Sequence, residues 1–317
     1  MARSIYIASP NAGTGKSTVA LGLVSCLTKV VAKVGVFRPF VESREGDAFL
    51  SLLLNRAGST TPPEQCVGAT WDEFHADPEE ALARIVDAYR AMAREHDVVI
   101  IDGSDFTDVA GNPELALNAR VAANIGVPVL LVVSGQNDVE DVVASVEVSM
   151  AEIADNHART VAVVANKCLP ETRQAVGEAL TAIEGITSTT LPEVPLLAAP
   201  VVREVLDAVE GTLIAGDETL LDREAESVLV CAMDVSHVLE RLTAGQLAIV
   251  PADRSAMLIS LMAAQASSSF PILSGLILNG GFEVAPHALR LLEGLDVNAL
   301  VTLLPALGFS GAQDSVV

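Results

Sequence analysis

Positive charge is scarce in this chain: 19 Lys and Arg stand against 41 Asp and Glu, a formal net charge of −22 over 317 residues. So acidic a surface repels phosphate backbones and anionic lipid over long range, which argues against nucleic acid and membrane as partners. A nucleotide remains possible, because its site depends on local N–H groups and one lysine, not on net charge. Aromatic residues are scarce too, at 3%, while half of the residues are hydrophobic. The cores must then be built from Ala, Val, Leu and Ile, as in sheets covered by helices on both faces. Cys26, Cys66, Cys168 and Cys231 form no C-x-x-C pair and read as buried, reduced thiols of a cytoplasmic protein. No apolar run reaches the ~18 residues that span a bilayer. The best candidate, residues 19–36, is interrupted by Lys29 and Lys33, and the N-terminus lacks a charged-then-apolar signal region.

What the chain does have is a glycine loop near its start, Ser9-Pro10-Asn11-Ala12-Gly13-Thr14-Gly15-Lys16-Ser17-Thr18. It lies between a strand-like run, Ile5 to Ala8, and a helix-like run, Val19 to Leu27, the context of a phosphate-binding loop. Gly13 and Gly15 allow the backbone to curl so that several N–H groups face one anion, and the new helix adds its unpaired amides. Residues Asn11 to Thr18 are therefore candidate nucleotide-binding positions, with Lys16 for the terminal phosphates and Ser17 for Mg²⁺. Pro10 occupies the place of the first glycine in G-x-x-x-x-G-K-[ST], so the loop's entry must differ from the usual one.

Strand and helix patterns then alternate. Residues 34–40 read as a buried strand ending in Arg38-Pro39, and a helix follows to Asn55. Asp77-Pro78-Glu79-Glu80 opens a helix through Arg94, and residues 98–101 form an aliphatic strand ending in Asp102-Gly103. That is the form of a Walker B element, which makes Asp102 a candidate in the shell of a metal ion. Further strands are expected at 127–133, at 160–165 ending in Asn166-Lys167, and at 194–198, with helices at 115–125, 137–154 and 173–183. Asn166 is a candidate contact to a purine base. The acid that a guanine reader would place at 169 is Leu169, so guanine is not indicated. Such alternation demands a parallel sheet with ligands outside the strands' C-terminal ends. The loop, Arg38, Asp102, Ser134 and Asn166 all fall there.

Residues 201–221 read as a helix and a turn connecting to a second series. Its expected strands are 227–231, 247–250, 276–278 and 299–303, and its helices 236–242, 255–267 and 286–292. Asp253-Arg254 and Asn279-Gly280-Gly281 follow neighbouring strands and should face each other. Arg254 is a candidate contact for a small anion or a partner chain, and Asp253 is expected to cap the helix it precedes.

Residues 1–205 resemble the dethiobiotin synthetase-like P-loop domain. Residues 222–304 resemble the small α/β domain named for an Asp-Arg-Thr-Gly-Gly signature (DRTGG), with Asn279 in place of the threonine; 206–221 would be the connection and 305–317 a tail. The fold class implied is α/β, a P-loop NTPase-like parallel-sheet domain followed by a smaller DRTGG-type α/β domain. This pair, in this order, is similar to the N-terminal region of the long-form phosphate acetyltransferase family, which converts acetyl-CoA and phosphate to acetyl phosphate and CoA. The resemblance implies a regulatory and assembly role, Mg-ATP or another nucleotide or metabolite as effector, a homo-oligomer, and an acetyltransferase catalytic domain as partner. That catalytic domain would lie C-terminal to these two, and none of these residues is expected to be catalytic. A stand-alone ATP-dependent enzyme of the dethiobiotin synthetase type, or a binding module, remains an alternative. Against the former, Arg38-Pro39 replaces Lys-Pro, and Gly103-Ser104-Asp105 replaces the Gly-Ala-Gly-Gly floor.

Overall fold

The structure, a computed structural model, describes residues 3–44, 46–104, 114–294 and 301–303; Asp105 and the expected tail lie outside them. The chain divides into two compact units, residues 1–193 and 194–317.

The first unit is a seven-stranded sheet in the order β3-β2-β4-β1-β5-β6-β7, with every neighbouring pair parallel. Its elements run β1 (Arg3–Ala8), α1 (Lys16–Leu27), β2 (Val34–Val41), α2 (Ala48–Ala57), β3 (Val67–Thr70), α3 (Trp71–Ala76) and α4 (Pro78–Glu95). They continue with β4 (Val98–Asp102), α5 (Glu114–Ile125), β5 (Val129–Ser134), α6 (Val139–Asp155), β6 (Thr160–Cys168), α7 (Arg173–Thr181) and β7 (Thr187–Pro192). Aliphatic runs fill the sheet because both faces are covered: Ile7, Val36, Ile100, Leu131 and Val163 are all fully buried. Each such side chain contributes roughly 1.5–3 kcal/mol. Pro39 sits inside β2 beyond Phe37, the last residue in register with β4, so its missing N–H removes no bond to that strand.

Two expectations are corrected. Residues 194–198 are not a strand but contain a short 3-10 turn, Pro195–Leu197, and the seventh strand is Thr187–Pro192. The alternating polar run Thr-Ser-Thr-Thr hid it, because an edge strand needs less apolar content than a buried one. The strand-helix pair β3 and α3 was also not evident. It is fixed by the capping box between Thr70 and Glu73 and by Trp71, which stacks on Phe40 at 4.9 Å with Phe74 edge-on to Phe40 at 5.2 Å.

The second unit carries α8 (Val202–Ala208), β8 (Thr212–Ala215), β9 (Ser227–Val230), α9 (Val235–Leu239), β10 (Gln246–Pro251), α10 (Ser255–Gln265), β11 (Gly275–Asn279), α11 (Pro286–Gly294) and β12 (Val301–Leu303). Its sheet has the order β8-β12-β11-β10-β9, parallel except for the antiparallel β8–β12 pair. Residues 201–221, read as helix and turn, therefore include a sheet strand. Three of the four residues of β8 are apolar, but a glycine lies just beyond each end, which disguises it as a loop. Among the described residues no helix is long and apolar enough to cross a membrane.

All four cysteines are free; Cys26 is exposed and the other three are buried. Burial pushes the Cys66 and Cys231 thiols up to about 11. Since the thiolate is the nucleophile, a thiol reagent at pH 8 should modify Cys26 rapidly in the native protein. The other three should react only in denaturant, and rapid native reaction of all four would contradict this core.

Candidate phosphate-binding site

Strand order places the glycine loop. β1 lies between β4 and β5, and the chain leaves it first towards β2 and later returns to its other side. The loop at the C-terminal end of β1 thus sits at the sheet's switch point, where open α/β folds bind ligands. Gly13 and Gly15 have φ of 74° and 80°, the left-handed region that glycine tolerates. Gly15 caps α1, and its carbonyl accepts from Val19 N–H at 3.1 Å. At the altered entry, the Ser9 hydroxyl donates to the Asn11 carbonyl at 3.0 Å, a local closure beside Pro10.

The loop's carbonyls are held from β6. Asn166 Nδ2 donates to the Thr14 carbonyl at 2.9 Å, and Lys167 Nζ to the Gly13 carbonyl at 2.8 Å. The amides of Gly13, Thr14, Gly15 and Ser17 find no acceptor among the described residues. The curl therefore has a carbonyl side that is bonded and an amide side that is not. The Thr14 hydroxyl is buried without a partner among the described residues, a further polar atom inside the loop. These are the properties of an anion cup.

Lys16 does not face that cup. It is 1% exposed, and its Nζ donates to Asp102 Oδ1 at 2.6 Å and to the Gly103 carbonyl at 2.5 Å. Asp102 is fully buried; its other oxygen, Oδ2, lies 3.4 Å from Arg38 Nε. Arg38 also pairs with Asp47, which caps α2 by accepting from Leu50 N–H, and stands over the Phe49 ring. Asp102, expected in a metal shell, is here the counter-ion of Lys16 and Arg38. Asn166, expected at a purine base, is the latch of the loop. Among the described residues no group of three His, Cys, Asp or Glu could hold a metal ion. Ser17 is half-exposed at the start of α1; Asn11 and Ala12 are exposed on the loop, and Thr18 is exposed in the first turn of α1.

Asn118 and Lys167 were not singled out from the sequence. Asn118 is fully buried on α5; its Oδ1 accepts from Tyr6 Oη at 2.6 Å and Ser104 N–H at 3.0 Å, while Nδ2 donates to the Glu114 carbonyl at 3.0 Å. Burial, with Asp102 and Glu114 nearby, holds the Tyr6 hydroxyl well above its ordinary value, so it stays a donor. The available signal was an Asn on the apolar face of a helix, since a buried amide must find partners. For Lys167 no local signal exists; its φ of 58° is a property of the folded turn.

In the second unit, β10 and β11 pair through Pro251 and Asn279, and Ala252 N–H donates to the Asn279 carbonyl at 2.9 Å. The two signature segments are thus adjacent. Arg254 turns away to the other neighbour, donating to the carbonyls of Cys231 and Ala232 at 3.1 and 2.9 Å. Asp253 does not cap α10, which begins at Ser255 with Arg254 in the N-cap position and no side-chain cap, correcting that expectation. Gly280 and Gly281 both have positive φ, 91° and 67°, so the turn after β11 needs glycines.

Residues 3–205 match the AAA domain family, and residues 204–306 the DRTGG domain. The chain belongs to the AAA domain family. It is 27% identical over 310 residues to a phosphate acetyltransferase of Nitratidesulfovibrio vulgaris, covering 93% of this chain and 44% of that protein. A phosphate acetyltransferase of Synechocystis is 25% identical, with the same coverage on both sides. The chain thus spans less than half the length of these curated relatives. Among solved structures, the MinD cell division protein of Aquifex aeolicus matches 62% of this chain and 84% of its own, at 17% identity and a TM-score of 0.43.

Removing Lys16 leaves Asp102 a buried charge with one more distant cation. Lys16→Ala should cost about 3–5 kcal/mol in urea unfolding, and adding Asp102→Asn should recover part of it. Unchanged stability in the single variant would refute the pair. Gly15→Ala would bring a Cβ within 2.3 Å of Asn166 Nδ2 at a left-handed φ. It should destabilise by at least about 1 kcal/mol, read as a drop in the thermal midpoint.

Proposed function

We propose that these residues form the N-terminal regulatory and assembly region of a phosphate acetyltransferase. The observation that carries this reading is the similarity along 93% of the chain to proteins of that name more than twice as long, with both domains in one order. The chemistry of that enzyme, acetyl-CoA and phosphate to acetyl phosphate and CoA, then belongs to an acetyltransferase domain that acts as partner. The chain works as a homo-oligomer in the cytoplasm, where four unpaired thiols are stable.

Its ligand on this reading is a nucleotide, with or without Mg²⁺. The amides of Gly13, Thr14, Gly15 and Ser17 would hold the terminal phosphates, and the Ser17 hydroxyl would serve Mg²⁺. What the bound group supplies is binding energy that can favour one state of the region over another. Phosphate must compete for Lys16 with Asp102 and the Gly103 carbonyl, and drawing the ammonium away leaves a buried carboxylate under-paired. Binding is therefore weak. The same competition weighs against a stand-alone ATP-driven enzyme.

Calorimetric titration with Mg-ATP, Mg-ADP and Mg-GTP tests the cup. Weak binding to the wild type, lost in Lys16→Ala under conditions where that variant is folded, is the expected result; equal binding by both would refute it. Asp102→Asn, which frees Lys16, should tighten binding several-fold, whereas loss of Mg²⁺-dependent binding there would restore a metal role to Asp102. In an assay of CoA release from acetyl-CoA and phosphate, the 317 residues alone should be inactive, and any release that scales with protein would overturn the division of labour.

A further inference from the structure

At the opposite edge of the first sheet lies a cavity of about 1100 Å³, formed by the start of β1, the last turns of α4 and the α5–β5 turn. We propose that it binds a small organic polyanion, a di- or tricarboxylate or a phosphate ester. Three arginines line it, Arg3, Arg90 and Arg94, all exposed to solvent. None of the three has a carboxylate or any other side-chain partner among the described residues. By contrast Arg38, Arg44, Arg84, Arg120 and Arg203 each hold an Asp or Glu.

In a chain with 41 acids for 19 basic residues, three guanidinium groups lining one hollow make a local excess of positive charge. Asp97 is the sole carboxylate among the described lining residues, and its Oδ2 already accepts from Lys33 N–H at 3.2 Å. Helices α4 and α5 both end here, and each C-terminus adds about half a negative charge. The arginines outweigh that and leave the hollow net positive. Guanidinium forks suit carboxylate and phosphate oxygens, which they grip bidentately. Ile125 and Val127 add an apolar wall for a carbon skeleton. The volume is ample for a metabolite, since ligand pockets run to roughly 300–1,000 Å³.

This site is separate from the glycine loop. Arg3 opens β1 and the loop follows its far end, about 17 Å away at ~3.3 Å per residue. The proposal does not depend on nucleotide binding, and the two are told apart by their variants.

The test uses the whole chain at low ionic strength, titrated calorimetrically with citrate and, separately, with pyrophosphate. The wild type should bind at least one probe, and added NaCl should weaken the binding. R90Q/R94Q, two exposed positions on one helix, should bind at least tenfold more weakly with an unchanged thermal midpoint; Arg3→Gln is an independent second variant on another element. Ser17→Ala should leave this binding intact. Citrate alone would identify a carboxylate site, and pyrophosphate, alone or with citrate, one that accepts phosphate. Binding of neither probe by the wild type, or binding that survives both arginine variants, would overturn the proposal, the arginines then being only solvated charges over two helix ends.

Discussion

A buried ammonium needs a buried negative charge, and Lys16 has Asp102. Sheet register supplies that match: β1 and β4 are parallel neighbours with Ile7 beside Asp102, so the carboxylate arrives next to the residue from which the glycine loop departs. On the far side of β4, β2 pairs Phe37 with Ile101 and delivers Arg38 to the same place. Three adjacent strands thus converge two cations on one carboxylate. Desolvating such groups costs several kcal/mol apiece unless geometry repays it. The cluster therefore ties the order of three strands to the conformation of one loop.

The opposite flank of the loop is fixed by β6. Asn166 and Lys167 take the carbonyls of Thr14 and Gly13, so the peptide planes turn their N–H groups the other way. A loop that hydrogen-bonded its own amides would be a stable turn and no receptor. Here polarity is divided between two sides because only one side has donors at hand. Gly15 is required twice over, for its left-handed φ and for the close approach of the Asn166 amide.

The second unit repeats the principle with different residues. A parallel trio, β9-β10-β11, brings a loop, an arginine and a glycine pair to one edge. Its arginine is spent on two backbone carbonyls, which makes Arg254 a clasp between strand ends. The Asn279 Oδ1 atom is buried there without a partner among the described residues. In both units some of the expected contact residues, Lys16, Arg38, Asn166 and Arg254, hold groups near the strand ends in place. A side chain at the end of a buried strand meets backbone before it meets solvent.

Most of the fold was legible in the chain. Buried strands such as Val98 to Ile101 read as unbroken aliphatic runs, helix α4 announced itself through Asp77-Pro78, and the loop through Gly-x-Gly-Lys-Ser. The strands that escaped were β3, β7 and β8, short or polar and near a sheet edge or turn, where burial imposes little pattern. The arginine-lined hollow was invisible because its parts come from residues 3–4, 89–97 and 125–128, far apart in sequence. By itself the sequence determined the α/β alternation and the place where amides could curl, since hydrophobic period and glycine freedom are local properties. Only the tertiary structure decided that Lys16 answers to Asp102, 86 residues on, and Thr14 to Asn166, 152 residues on, because strand order chooses which ends meet.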